Sequence, residues 1–248
     1  MSLSQYLLNI IFPPLCLSCR KYLGRDEEII RRLCTNCSSK LSFMPGFLCP
    51  VCFRRLPSIA LAKEGWSICH RDAQFILASP LDYSNPTAQE LIHTFKYGKI
   101  EAAAEPLISV LVEYLSASFK NNKPEIKNFV LIPIPLHPKK RRKRGFNQAL
   151  IIAERLKARL DIFREITIVS DALFKKESNK SQTEQKDYAS RENNVRGSFG
   201  LRKLELIAGK NIFLVDDVFT SGATMREAVR VLKSAGAKKI IAITIAKA

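Results

Sequence analysis

The chain has 248 residues, with 40 Lys and Arg against 23 Asp and Glu, and a formal net charge of +17. Because 46% of its residues are hydrophobic, it can bury one full core plus a smaller attached unit, which excludes a wholly disordered chain. The positive excess runs through both parts, 10 basic against 5 acidic residues up to Phe75 and 30 against 18 beyond, so it points to phosphate-rich partners rather than to one charged tail.

The first stretch carries an apolar run, Leu7, Leu8, Ile10, Ile11 and Phe12, stopped early by Pro13 and Pro14. It has no basic leader and no small-residue cleavage site, so neither a signal peptide nor membrane insertion is expected, and the cytoplasm is the expected compartment. Six of the seven cysteines form Cys-x-x-Cys pairs, which in a reducing compartment read as metal ligands. Cys16, Cys19, Cys34 and Cys37, with 14 residues between the pairs, can supply four thiolates to a structural Zn²⁺. Cys49, Cys52 and Cys69 start a second set whose fourth ligand is either His70 or Asp72, and cross-braced pairing of the knuckles stays open. A fully liganded zinc site has no open position for a substrate, so the metal is expected to contribute folding energy and not catalysis.

Texture changes near residues 75–80, which divides the chain into a cysteine-rich zinc-ribbon module over 1–75 and a second domain over 76–248. In the second domain Asn85 is placed to cap a helix that starts at Pro86 and ends at Gly98, and another helix fits Ala102 to Phe119. Phe129 to Pro133 reads as a buried strand, followed by a Pro-rich basic loop and a helix from about Asn147 to Leu160. Lys175 to Asn194 reads as a polar surface loop of the kind that closes over ligands. The last unit runs strand Ile212 to Val215, a Gly turn, a helix from about Ala223 to Ala235, and a strand from Lys239 to Ile245. This alternation predicts an α/β fold with a parallel sheet flanked by helices.

Chemistry concentrates where the strand Ile212 to Val215 ends. Ligands of open α/β sheets sit at the carboxyl ends of strands, and here two carboxylates, Asp216 and Asp217, precede Thr220, Ser221, Gly222, Ala223 and Thr224 at a helix start. Free N–H groups of the first turn and the hydroxyls of Thr220, Ser221 and Thr224 can surround a phosphate, with Gly222 allowing close approach. The carboxylates would repel that phosphate unless the ligand also offers hydroxyls or brings Mg²⁺, and a ribose 5-phosphate meets both halves. Neither the Gly-x-x-x-x-Gly-Lys nucleotide loop nor a Gly-x-Gly-x-x-Gly loop is present. Lys139, Lys140, Arg141, Arg142, Lys143 and Arg144 form an unbroken run of six cations, which predicts contact with a nucleic-acid backbone while Tyr97 or Phe146 stacks a base. His93 and His137 are lone histidines and read as structural or solvent-facing.

The whole string from Ile212 to Thr224 resembles the phosphoribosyl pyrophosphate (PRPP) signature of type I phosphoribosyltransferases. Together with Ile132 to Pro135, Arg144 to Gln148, Ser181 to Thr183, Arg191 to Asn193, Gly197, Phe199 and the cysteine-rich start, the chain resembles the ComF family. That resemblance implies a type I phosphoribosyltransferase, a Rossmann-like fold, behind a small double zinc ribbon. It further implies that Arg144, Asn147, Gln148, Gln182 and Arg191 belong to the pyrophosphate loop and hood, and that PRPP is bound with Mg²⁺. The function so implied is handling of incoming single-stranded DNA in natural transformation, with PRPP or a strand's 5′-phosphate in the pocket and a helicase-like uptake motor as partner. Two readings stand beside it. One is an active phosphoribosyltransferase using a base or amine that the residues do not identify; the other is a PRPP-sensing regulator that does not touch DNA.

Overall fold

In the computed structural model, residues 13–24, 32–57, 69–70, 72–98, 101–120, 128–176 and 196–248 are described. Five parallel strands make the main sheet: β1 (Ile76–Ala78), β3 (Phe129–Pro133), β4 (Thr167–Ile168), β7 (Asn211–Val215) and β9 (Ile240–Ile243), in the spatial order β1-β9-β7-β3-β4. A second, three-stranded sheet aligns β2 (Leu81–Asp82), β10 (Ala246–Lys247) and β8 (Val218–Phe219), and β5 (Leu173–Lys175) pairs antiparallel with β6 (Phe199–Leu201). Among the described residues the α-helices are α1 (Thr35–Ser39), α2 (Pro86–Tyr97), α3 (Ala104–Lys120), α4 (Pro138–Arg144), α5 (Gln148–Arg159) and α6 (Ala223–Ser234).

Alternation along the central strands sends side chains to opposite faces. Leu131, Phe213, Val215, Ile241 and Ile243 meet α2, α3 and α5 on one side. Val130, Ile132, Ile212, Leu214, Ile240 and Ala242 meet α6 and the β5–β6 hairpin on the other. Burial on both faces is why these strands read as continuous apolar runs. At the centre of the first face Phe213 lies 4.4 Å from Phe129 and 4.7 Å from Phe163, centroid to centroid.

The cysteine-rich module is built into this architecture. Leu23, Leu33, Leu41 and Phe47 join the same buried cluster as α3. Phe47 packs on Phe119 at 5.5 Å, and the Tyr114 hydroxyl donates to the Gly46 carbonyl. On the other side Leu48 exchanges two backbone hydrogen bonds, 2.8 and 3.0 Å, with Leu77 of β1.

Local rules explain most boundaries. Asn85 accepts from the Ala88 N–H at 3.1 Å, Pro86 opens α2, and Gly98 closes it. The second expected helix starts two residues later than read, at Ala104, after a single turn of 3₁₀ helix over Glu101–Ala103. Two expectations are corrected. The basic run is not a loop: His137 caps it through Nδ1, Pro138 sits in the first turn, and residues up to Arg144 form helix α4 with no buried member. Lys175 belongs to β5, paired with Phe199, and is not part of a polar loop; the stretch from 177 to 194 lies outside the described residues. Among the described residues, no helix is long and apolar enough to cross a membrane.

Phe213→Ala should cost about 3–5 kcal/mol, the usual range for emptying a buried aromatic site, and lower the urea midpoint accordingly. A midpoint unchanged from the parent would refute its place at the centre of the core.

Candidate ligand pocket and metal centres

The pocket follows from strand order. The chain leaves β3 through α5 to reach β4 on one side, and leaves β7 through α6 to reach β9 on the other. The neighbours β3 and β7 are therefore the switch point of the sheet, where open α/β proteins hold ligands beyond the strand carboxyl ends. Pro133 is in register with Val215, and the Ile134 N–H donates to the Val215 carbonyl at 2.8 Å, so the segment leading to α4 and the Asp216–Asp217 pair emerge together.

Asp217 is buried among cations. Its Oδ1 lies 3.0 Å from Lys96 Nζ at the end of α2, and its Oδ2 lies 4.0 Å from Arg144 Nη1 at the end of α4. Arg144 in turn donates to Gln148 Oε1 at 3.1 Å and covers the exposed Tyr97 ring at 5.2 Å. Gln148 is 1% exposed, and its Nε2 has no acceptor among the described residues. Asn147 is held by the fold: its Oδ1 accepts from the Ala149 N–H and its Nδ2 donates to the Ile134 carbonyl, at 3.2 and 3.0 Å. Gln182 and Arg191 lie outside the described residues.

Asp216 is half-buried and accepts the Asp217 N–H at 2.8 Å. Burial first, and then the neighbouring Asp217 carboxylate, push it from 3.8 up to about 7, with Lys96 and Lys175 pulling the other way. Lys175, held over the Phe199 ring at 5.1 Å, is itself lowered, by burial and then by Lys140. Lys96 and Lys175 escape a reading of the sequence because their partners are more than 40 residues away; a lysine in the last turn of a capped helix was the only local sign of the first.

The loop after Asp217 is pinned by the small sheet, where β8 pairs with β10, Ile245 N–H reaches the Asp217 carbonyl, and Ala248 N–H reaches the Phe219 carbonyl. Thr220 is exposed, Ser221 and Thr224 are half-buried, and Gly222 and Ala223 are buried. Gly222 has a φ of +73°, and a Cβ there would stand 2.4 Å from the Phe219 ring, so only glycine fits the turn that opens α6. Ser221 Oγ accepts from the Ala223 N–H at 3.4 Å. The first-turn N–H groups and these hydroxyls are a donor set of the kind that can hold an anion.

Mg²⁺ was expected beside the carboxylates. Both Asp217 oxygens already face cations of the chain, and this donor set does not fit a metal held directly on Asp217.

The cysteines gather into two clusters whose ligand atoms all lie within 4.8 Å of one another: Cys16, Cys19, Cys34 and Cys37, then Cys49, Cys52, Cys69 and His70. Pairing is sequential rather than cross-braced. His70 Nδ1 lies 3.4 Å from Cys49 Sγ and 3.2 Å from Cys69 Sγ, whereas Asp72 is outside the cluster. Four soft donors at this spacing fit tetrahedral zinc. Without a cation two of the thiols are hard to ionise, Cys69 pushed up to about 12 by Cys49 and Cys52 and Cys37 to about 12 mainly by burial, while the Arg54 N–H lowers Cys52 and, against burial, backbone N–H groups lower Cys16 to about 7. A dication removes that penalty.

Two measurements check this geometry. Native mass spectrometry should find two zinc ions per chain, and Cys69→Ser should lose one; a single ion in the parent would refute the second centre. An Asp with a raised folded-state pKa leaves stability intact below about 4 and withdraws it as pH rises towards 7. Asp216→Asn removes that loss, so its gain in Tm over the parent should be larger at pH 8 than at pH 4 in magnesium-free buffer, and an equal gain at both would contradict the burial of this carboxyl.

Comparison with known proteins agrees with the two-part geometry. Residues 111–248 match the phosphoribosyl transferase domain family, and residues 7–72 match the double zinc ribbon domain. The chain is 29% identical to competence protein ComFC of Bacillus subtilis over 233 residues, 90% of each chain. It is 26% identical to competence protein F of Haemophilus influenzae over 245 residues, 97% of this chain and 93% of the relative. It is also 26% identical to DNA utilization protein YhgH of Escherichia coli K12 over 237 residues, 92% of this chain and 94% of the relative. With its switch-point pocket, its ribbon and its likeness to competence proteins along nearly its whole length, the chain belongs to the phosphoribosyl transferase domain family as a ComF-type protein.

Proposed function

We propose that this ComF-like, competence-related protein handles single-stranded DNA in the cytoplasm during natural transformation, and that its pocket takes a ribose 5-phosphate group, either PRPP or the 5′-phosphate end of a strand. The observation that carries the proposal is the position of helix α4. Lys139, Lys140, Arg141, Arg142 and Lys143 are all exposed, and the same helix ends at Arg144, whose guanidinium faces Asp217 in the pocket. A row of cations with no ion pair among the described residues, leading to the hydroxyls and N–H groups of the α6 start, suits a backbone that runs along α4 and ends at the N-terminus of α6.

Tyr97, exposed and backed by Arg144, is the aromatic surface available for a base. Phe146, the other aromatic expected in that role, stacks on buried Phe95 at 5.7 Å and serves the core. In the pocket the first-turn N–H groups of α6, with Thr220, Ser221 and Thr224, would hold the phosphate, and Asp216 and Asp217 would accept from sugar hydroxyls. The zinc ribbon would support the pocket and not react. A helicase-like motor as partner fits the competence role carried in the relatives' names.

A second reading, a phosphoribosyltransferase acting on PRPP and a base or amine, is favoured by the intact Asp216-to-Thr224 loop. In that case the cations around Asp217 would stabilise the departing diphosphate while positive charge develops at the anomeric carbon. The regulator reading leaves the α4 cations without a use.

Fluorescence anisotropy of a labelled single-stranded oligonucleotide against the zinc-loaded chain should show micromolar or tighter binding near physiological salt, with displacement by PRPP. Replacing Lys139, Lys140 and Arg141 by Ala should flatten the log affinity against log salt slope by about 2, given roughly 0.7 per phosphate contact on single strands. Absence of binding would reject DNA handling and leave the transferase reading, which turnover of PRPP with candidate bases would then decide.

A further inference from the structure

Asp217 would ordinarily need an outside cation. A buried carboxylate next to a second carboxyl and a phosphate cradle is electrostatically unfavourable unless positive charge is brought close. In this chain that charge is supplied from within. Lys96 Nζ sits 3.0 Å from Asp217 Oδ1, Arg144 Nη1 sits 4.0 Å from Oδ2, and the three side chains are only 16%, 13% and 12% exposed.

The cations are also held in place. Lys96 lies in the last turn of α2, where the helix dipole favours a positive group, and Gly98 ends the helix just beyond. Arg144 is fixed by Gln148 Oε1 and by the Tyr97 ring, and Tyr97 is the neighbour of Lys96, so the ends of α2 and α4 are tied to each other above Asp217. The Gln148 amide beside Arg144 is 1% exposed, and its Nε2 donor, which has no acceptor among the described residues, can donate to an oxygen of a ligand.

We propose that Lys96, with Arg144, takes the place of a divalent metal at Asp217, so that the pocket binds the diphosphate-bearing sugar PRPP without magnesium. When the ligand enters, its diphosphate offers Lys96 and Arg144 a second anion to share, and Asp217 turns an oxygen to a sugar hydroxyl. Lys96 is thus a specificity-determining residue: it favours ligands that bring a second anion beyond the 5′-phosphate. The inference rests on the ribose-phosphate reading given above.

Isothermal titration of the full, zinc-loaded chain with PRPP tests it, in magnesium-free buffer without chelator and again with magnesium in excess. The parent should change its Kd by less than about threefold between buffers, while Lys96→Met should weaken about tenfold or more without magnesium and recover most of that with it. Lys96→Arg, which keeps the charge, should behave as the parent, and thermal melts of both variants confirm that they are folded. A parent that loses about tenfold without magnesium, or a Lys96→Met variant as indifferent to magnesium as the parent, overturns the proposal while leaving the pocket intact. No PRPP binding by the parent in either buffer sinks the ribose-phosphate reading itself, and the inference with it.

Discussion

The parallel pairing of β3 with β7 is the constraint from which the pocket follows. Five residue pairs, Phe129 with Asn211 through Pro133 with Val215, put two strands that are more than 80 residues apart in register, and one further hydrogen bond carries that register past the strand ends. A slip of one residue would send Phe213 to the face now occupied by α6 and separate Asp217 from Arg144. The register is held by packing on both faces, so the chemistry at the strand ends inherits its precision from the core. The loop that follows is held independently by the β8–β10 pairing, and the two devices together leave the cradle little freedom.

Charge in the pocket is arranged so that the chain alone nearly balances it. Asp216 and Asp217 face Lys96, Arg144 and Lys175, drawn from α2, α4 and β5. The elements that surround the cradle each contribute one cation at a terminus or a strand end, where a long side chain can reach inwards along apolar surface. The outward-facing cations of α4 lie on the same helix as Arg144, so one short helix serves both the inside of the pocket and the surface beside it.

Much of the fold was legible because local signals were strong. Asn85, Pro86 and Gly98 bracket α2 as read, Phe129 to Pro133 form a strand as read, and Asn147 caps α5. The basic run misled because six like charges argue against a helix, yet His137 and Pro138 start one, and free exposure to water lowers the cost of their repulsion. The fourth ligand of the second cluster stood open between His70 and Asp72, since spacing alone cannot say which side chain turns inwards; the backbone there turns His70 towards Cys49. Gln182 and Arg191, expected in the hood, fall outside the described residues. Lys96 and Lys175 could not be read from sequence, because a lysine gains its meaning only from a carboxylate that the sheet brings to it.

The backbone exchange between Leu48 and Leu77 has a consequence for how the protein is kept in the cell. Strand β1 lies at the border of the main sheet, and the knuckle that holds Leu48 covers its open side. If that knuckle loses its metal, the N–H and carbonyl of Leu77 lose their partner and Phe219, with Phe75 beside it, loses the Phe53 ring that packs on it. Such a border invites pairing with another chain. Zinc supply would then govern the amount of soluble protein more than the affinity of its pocket, and starvation for the metal would be felt first as aggregation and proteolysis.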